Sequence, residues 1–183
     1  MRTRSHSHFT IIEILVVIAV IAILMGSILG ITDYVSRKNG EARTLAVVEM
    51  LRSGLEQYKE KYGFYPPTKV DSGIVYKRFH LDKLTTNGVS DNFNQFIDYN
   101  HFTQSGKSKK EGDFYYILDG FGGYIYYRCP GHVNKTAYDL GSLGSDGKGG
   151  DNTAAVDSNG DPSSQSDFNT HFGKGDDITN CRR

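Results

Sequence analysis

The most unusual chemical group in this chain is a single carboxylate inside an apolar segment. Glu13 is the only charged residue between Phe9 and Ile31, and every side chain from Ile14 to Met25 is apolar. A charge in such a segment needs a partner, since an unpaired one is costly in lipid. Two partners for Glu13 are compatible with the sequence. Cleavage before Phe9 would create an ammonium group that a neighbouring copy could offer, and otherwise Glu13 would interact with its own helix N-terminus.

Four further carboxylates lie in the glycine-rich tail. Asp146 and Asp151 belong to the stretch SDGKGGD, and Asp176 and Asp177 belong to GKGDD. Ca²⁺ is bound by about 6–8 oxygens from carboxylates, carbonyls and water. A loop with so few hydrophobic residues needs something else to order it, and the energy of binding a cation could do so. A flexible acidic loop is the alternative that the residues alone leave open.

The stretch DSNGD, residues 157–161, repeats the start of an EF-hand loop. Pro162 follows it, and Phe168 occupies the twelfth position, where the motif requires Glu. We therefore interpret this stretch as a turn in which Asp and Asn side chains accept hydrogen bonds from the backbone.

Cys129 and Cys181 are the only cysteines, so the chain forms one intramolecular disulfide or none. A bridge is expected if the C-terminal part lies in an oxidising compartment, and two unpaired thiols are the alternative. The two cysteines are too far apart in the sequence for a CxxC redox pair.

Motifs for catalysis and for nucleic-acid binding are missing from the sequence. It contains no H-E-x-x-H, G-x-S-x-G or P-loop motif. The 21 basic and 21 acidic residues balance, which gives no electrostatic case for nucleic acid. We predict that the protein is not an enzyme.

The apolar segment, residues 9–31, is long enough to cross a bilayer, which takes about 20 helical residues. It exceeds the apolar core of a signal peptide, which is about 7–15 residues long. Arg2 and Arg4 precede it. Because positive residues stay on the cytoplasmic side, the C-terminal part is expected outside the cytoplasm.

The following segment has the pattern of an amphipathic helix. Apolar residues recur every three or four positions, which predicts one buried face: Leu45, Val48, Leu51, Leu55, Tyr58 and Tyr62. Gly63 and Pro66 fit the end of this helix. We predict one helix from Thr10 to Tyr62, with Gly26, Gly30, Asn39 and Gly40 as weak points.

The remainder predicts a small antiparallel sheet covered by the amphipathic helix, an α+β arrangement. Residues 113–119 and 123–128 are rich in strand formers and flank a glycine-rich turn, which predicts a hairpin. Residues 136–143 predict a third strand. Short helices are expected at 81–88 and 91–99, and loops at 105–113 and from Ser142 onward.

Residues 9–24, FTIIEILVVIAVIAIL, resemble the processing signal of type IV pilins and of type II secretion pseudopilins. The resemblance implies cleavage between His8 and Phe9, N-methylation of Phe9, and a role for Glu13 in assembly. His8 stands directly before the cleavage site, where these families usually have glycine. Gly30 stands where many type IV pilins carry proline, which favours the pseudopilins.

The C-terminal half is similar to the major pseudopilins of type II secretion. The similarity lies in DGFGGYIYYRCPG, YDLGSLGSDGKGG and GDDITN, whereas about 25 residues from Asp151 resemble an insertion. It implies a pilin-like fold and one Ca²⁺ ion held by side chains of Asp146 and of Asp176 or Asp177. Leu143 and Ser145 would add backbone or hydroxyl oxygens.

The resemblance implies a structural subunit that polymerises with itself through its N-terminal helix into a periplasmic filament supporting protein export. Minor pseudopilins, a prepilin peptidase, an inner-membrane assembly platform and its ATPase are the implied partners. Two alternatives stay open: a type IV pilin of a surface fibre, and a membrane-anchored periplasmic binding domain. The predicted order is a leader (1–8), a transmembrane half-helix (9–31), an amphipathic half-helix (32–62), a variable region (63–112), and a sheet with a calcium-type loop (113–183).

Overall fold

The computed structural model describes residues 10–70, 73–80, 93–150 and 155–181. A single helix, α1, occupies Ile11–Tyr62, which confirms the predicted helix to within one residue. It is continuous through the four predicted weak points. Gly63, with a φ of 82°, follows its last residue and donates its N–H to the carbonyl of Lys59 at 2.7 Å, as a helix-ending glycine does.

The chain divides into two units, Met1–Lys38 and Asn39–Arg183. In the first unit, the large apolar side chains from Ile11 to Met25 are between 45% and 84% exposed. Among the described residues, no helix combines the length and the hydropathy of a membrane span. The predicted span at residues 9–31 is therefore not confirmed.

In the second unit, one face of α1 is buried, largely as its periodicity predicts. Val48, Leu51, Leu55 and Tyr58 are buried, and Tyr62 packs against them. Leu45 is the exception, because it is 48% exposed. Thr44 and Val47 take the buried positions of that turn instead.

The described part of the second unit contains three antiparallel sheets rather than one. The main sheet has four strands in the order β3, β6, β7, β8, formed by Lys77–Arg78, Ile125–Arg128, Asp139–Ser142 and Ile178–Thr179. Two ribbons accompany it: β1 (Lys69–Val70) with β2 (Gly73–Ile74), and β4 (Ser108–Glu111) with β5 (Phe114–Ile117). The predicted strand at 136–143 is β7, which pairs with β6.

The predicted hairpin between 113–119 and 123–128 is wrong. β5 pairs with β4, and only one isolated bridge, Leu118 to Tyr124, joins it to the next strand. The reason is that β3 takes the edge of β6 that a hairpin would need, and just after β3 the Phe79 N–H donates to the Ile125 carbonyl at 2.7 Å while the Phe79 carbonyl accepts the Ile117 N–H at 2.9 Å. Phe79 therefore lies between the two strands that were predicted to pair. The predicted loop at 105–113 is also wrong, because it contains β4.

The tail is more ordered than predicted. Helix α3 occupies Gln165–His171 and β8 occupies Ile178–Thr179, so the expectation of loop from Ser142 onward is wrong in these two places. The predicted helix at 91–99 is a 3-10 turn at Phe93–Gln95, followed by α2 at Tyr99–Gln104. The predicted helix at 81–88 lies outside the described residues.

Both faces of the main sheet are covered. Successive side chains of a strand point to opposite faces, and those of β6 enter two different clusters. Ile125 and Tyr127 belong to a cluster with the buried face of α1, which we call the helix-side cluster. Tyr126, between them, belongs to a second cluster with Phe168 of α3 and with Phe172, which we call the strap-side cluster. The predicted cover by helix 1 is thus confirmed for one face, and the tail supplies the other.

Gly40 marks a close approach of α1 to the turn after β5. The Thr44 hydroxyl donates to the Gly40 carbonyl at 2.8 Å and accepts the Gly120 N–H at 2.9 Å. A Cβ at Gly40 would collide with the Phe121 ring, and a Cβ at Gly120 would collide with the Gly40 carbonyl. Glycine at position 40 is therefore required by packing and does not mark a weak point.

We expect Gly40→Val to destabilise the second unit by about 1–3 kcal/mol, the usual cost of overpacking. A thermal melt of the full chain followed by near-UV circular dichroism measures it. Gly26→Val is the matched control, because a Cβ at Gly26 meets nothing within 4 Å. Equal melting temperatures for the two variants would contradict the close approach.

Candidate functional site

Glu13 lies in the first turn of α1. Its Oε2 accepts the backbone N–H and the hydroxyl of Thr10, each at 2.8 Å. This is half of a capping box, in which a carboxylate satisfies an N–H that the helix leaves without a partner. Within one copy of the chain, Glu13 therefore has the helix N-terminus as its partner, one of the two alternatives from the sequence. Phe9 and His8 lie outside the described residues.

The acidic loop is organised around Asp177. Its Oδ2 accepts the N–H of Gly173 at 2.8 Å and that of Gly150 at 3.2 Å. Its Oδ1 is buried, and no hydrogen-bond donor among the described residues reaches it. Burial, helped by the negative charges of Asp176 and Asp146, raises the pKa of Asp177 to about 7, against the opposing effect of the two glycine N–H groups.

The other predicted ligands lie near this carboxylate. Asp176 Oδ2 accepts the N–H and the hydroxyl of Ser145, at 2.8 and 2.9 Å, and Asp146 Oδ1 accepts the Lys148 N–H at 2.8 Å. Leu143 is buried, and its side chain belongs to the strap-side cluster. The structure thus brings the two ends of the predicted loop together, while Asp151 falls outside the described residues.

The negative charge of these residues suits a hard cation, but the number of side-chain ligands among the described residues does not. The Oδ1 atom of Asp177 is a buried carboxylate oxygen without a partner in the described chain, beside two more negative charges, which is an arrangement that a cation stabilises. Across the described ranges, however, no group of three or more His, Cys, Asp or Glu side chains is placed to hold a metal ion. A complete shell would need backbone carbonyls and water, as Ca²⁺ sites accept.

The stretch DSNGD is a turn, as the sequence predicts. Asp157 Oδ1 accepts the N–H groups of Asn159 and Asp161, at 2.8 and 3.0 Å. The side chain of Asp161 points elsewhere, because both its oxygens bind the guanidinium of Arg78. The two acidic residues of the motif therefore do not converge on one point.

Asp139 is a buried carboxylate whose role sequence reasoning missed, although it stands in the quoted motif YDLGSL. Its oxygens accept the N–H groups of His132, Val133 and Asn134 at 2.6–2.9 Å, and the Tyr76 hydroxyl donates to it at 2.7 Å. Burial alone would raise the pKa of Asp139, but these hydrogen bonds outweigh it and lower the pKa. Asp139 thus fixes the turn before β7.

The two cysteines are not joined in the structure. Both are buried, but Cys129 belongs to the helix-side cluster and Cys181 to the strap-side cluster. Cys129 donates weakly through Sγ to the Ala137 carbonyl at 3.6 Å, and burial raises the pKa of this thiol. The predicted bridge is thus absent from the described residues.

The pKa of Asp177 leads to an expected pH dependence in the absence of divalent cations. Since its folded pKa of about 7 exceeds the unfolded value of about 3.9, the folded state holds the extra proton between these values. Stability should therefore fall as the pH rises from 5 to 8. Thermal melts in EDTA measure this, and Asp177→Asn should remove much of the slope. Equal slopes for both proteins would contradict the burial of this carboxylate.

Comparison with known proteins gives one relative. No protein-family model and no solved structure matches the chain. The type II secretion system core protein G of Pseudomonas aeruginosa strain PAO1 is 31% identical over 160 residues, covering 85% of this chain and 96% of that protein. This identity extends over almost the whole relative. The fold, a long N-terminal helix followed by small antiparallel sheets, is consistent with a pilin-like protein. The chain therefore belongs to the pilin-like family of major pseudopilins of type II secretion systems.

Proposed function

We propose that this protein is the structural subunit of a periplasmic filament that supports protein export by type II secretion. The observation that carries the proposal is the exposed apolar stretch of α1 from Ile11 to Met25. A contiguous apolar surface of this extent is a sign of a partner or a membrane. Further support comes from the relative, whose name places it in a type II secretion system. The subunit has no catalytic role in this proposal.

Assembly would work through the start of α1. Cleavage between His8 and Phe9 leaves an ammonium group on Phe9, which is N-methylated. A neighbouring copy shifted along the filament brings this cation to Glu13, whose carboxylate exchanges its two contacts with Thr10 for an ion pair. Inside an apolar filament core, that pair neutralises both charges and fixes the axial register between subunits.

Before assembly, the chain would be anchored in the inner membrane with its N-terminus in the cytoplasm and its C-terminal unit in the periplasm. The charge-free run from Ile14 to Met25, behind Arg2 and Arg4, supports this orientation. A prepilin peptidase would process it, and the assembly platform with its ATPase would add it to the filament beside minor pseudopilins.

The acidic loop would hold one Ca²⁺ ion. Asp177 Oδ1, Asp176 and Asp146 supply negative charge, and Ser145 and the Leu143 backbone are the further oxygen donors. The bound ion would supply the positive charge that offsets the buried carboxylate, and so would stabilise the loop. Asp177 meanwhile holds the backbone at Gly150 and Gly173 through its other oxygen.

Deleting the gene in its own host tests the proposed function. We expect exported enzymes to accumulate in the periplasm, and the full chain supplied from a plasmid to restore their release. Loss of surface fibres with normal export would instead favour the type IV pilin alternative. Normal export and normal fibres would contradict an assembly role altogether.

A further inference from the structure

The ribbon formed by β4 and β5 ends in an exposed carboxylate beside an exposed aromatic ring. Its turn consists of Gly112 and Asp113, between the paired residues Glu111 and Phe114. Gly112 has the positive φ, 58°, that a two-residue hairpin turn requires. Asp113 is exposed, and Phe114 is 40% exposed. We call residues 112–114 the ribbon tip.

The ribbon tip is held in place by the residues behind it. Glu111 binds the Arg78 guanidinium at 2.6 Å and the Lys109 ammonium at 2.7 Å. The His80 ring packs against Phe114, with 4.9 Å between the two ring centroids. Because the fold already fixes these residues, the tip loses little conformational freedom when it enters a partner.

A cleft of about 580 Å³ lies at the other end of the same ribbon, and we call it the base groove. Its lining includes three apolar and two cationic side chains: Val47, Leu118, Phe121, Arg43 and Lys107. Gly106 and Gly122 also line it, and a Cβ at either position would meet nothing within 4 Å. The groove is therefore open to an entering side chain.

The cations of the base groove are available to a carboxylate from outside. Neither Arg43 nor Lys107 forms an ion pair within the described part of the chain. Asp119 is the one acidic residue of the lining. Its oxygens already accept two backbone N–H groups of the turn after β5 and the Ser142 hydroxyl. The groove thus combines an apolar surface with positive charge, which attracts an acidic partner.

The ribbon tip and the base groove match in charge and polarity, but one copy of the chain cannot join its own two surfaces. From Lys107 to Gly112 the strand spans about 17 Å at the usual rise per residue. A contact between tip and groove therefore needs two copies. Because the two surfaces are different, each copy can offer its tip to one neighbour and its groove to another, the head-to-tail arrangement that builds open filaments.

We propose that the base groove receives the ribbon tip of a second copy, with Asp113 between Arg43 and Lys107 and the Phe114 ring against the apolar side chains. This inference rests on the proposed filament and names a contact between its subunits that is separate from Glu13. Three residues bury far less than the roughly 1,200 Å² of a stable pair. The contact therefore acts between copies that α1 already holds together, where the effective concentration is high.

Cysteine cross-linking within filaments tests this contact. When the full chain carries both Ser105→Cys, at the groove, and Asp113→Cys, at the tip, oxidation of sheared filaments should give a ladder of dimers, trimers and longer species. Either substitution alone should give no ladder, since Cys129 and Cys181 are buried. Intact filaments without a ladder, or with dimers alone, overturn the inference. Failure of the unsubstituted chain to form filaments overturns the proposed function as well.

Charge reversal tests the same contact without added cysteines. Arg43→Glu and Asp113→Lys should each lower the yield of filaments at least about tenfold, because like charges would meet across the contact. The two substitutions together should restore much of the yield. Lys135→Glu, at an exposed lysine outside the groove, is the matched control and should assemble normally.

Near-UV circular dichroism of each variant checks that the second unit is folded. Normal assembly of both single reversals overturns the inference. So does a folded double variant that assembles no better than the single ones, and so does cross-linking of Ser105→Cys to a different protein in place of the ribbon tip.

Discussion

Replacing Glu13 with valine is expected to abolish filament assembly and to leave the second unit folded. Within one copy, the carboxylate contacts only Thr10 in the described chain, so its removal affects the first turn of α1 and not the core. In the filament, its loss would leave the Phe9 ammonium of a neighbouring copy in an apolar environment. Removing one partner of a buried ion pair costs about 3–5 kcal/mol, enough to prevent subunit addition.

Electron microscopy and sedimentation of sheared cell-surface or periplasmic fractions measure this effect. Glu60→Val is the matched control, since it makes the same change at an exposed carboxylate far along α1 and should assemble normally. Circular dichroism checks that both variants are folded. If Glu13→Val forms normal filaments, Glu13 has no role in assembly and acts only as a helix cap.

Removing Ca²⁺ is expected to produce the second large effect, a drop in the melting temperature of the second unit. Binding to the folded state alone stabilises it by about 2.7 kcal/mol at a hundredfold excess over Kd. At a few degrees per kcal/mol, the shift is easily measured. It should reverse when Ca²⁺ is restored, because in the proposed site the ion would again offset the charge of Asp177.

Two variants separate an ion effect from general electrostatics. Asp146→Asn should lose most of the response to EDTA, because Asp146 is a proposed ligand. Asp113→Asn should keep it, because Asp113 is an exposed carboxylate between β4 and β5. Identical melts with EDTA and with Ca²⁺ in the unsubstituted protein would show that the loop is ordered without a cation.

The sequence predicted those parts of the fold that depend on local pattern. The spacing of Val48, Leu51 and Leu55 predicted α1, because its buried face repeats with the helical period. The strands β5 and β6 were found because they are rich in aromatic and β-branched residues, whereas β7, with the sequence DLGS, was placed only within the longer predicted strand at 136–143. The pairing of β5 with β4 was not predicted, because β3, a strand of only two residues, takes the edge of β6 that the predicted hairpin needed. A hydrophobic pattern does not reveal such a short strand.

The residue types of the candidate site could be predicted from the sequence, but their arrangement in space could not. The acidic residues around Asp146 and Asp177 were visible in the sequence, but the burial of Asp177 and its contacts with the N–H groups of Gly150 and Gly173 arise only in the folded chain. The order of the tail was missed because its apolar anchors, Phe168 and Phe172, stand alone among polar residues. Phe168 in α3 and Phe172 just after it are buried only by packing against Tyr126 of β6 and Tyr76, which precedes β3.

The N-terminal residue of the mature protein tests the central claim most directly. Mass spectrometry of the full-length protein recovered from the envelope of its host gives both the position of cleavage and any added methyl group. An assembling pseudopilin should begin at N-methylated Phe9, with residues 1–8 removed. A mature chain that still carries the leader, or one cut elsewhere, would contradict assembly through the Phe9 ammonium and Glu13.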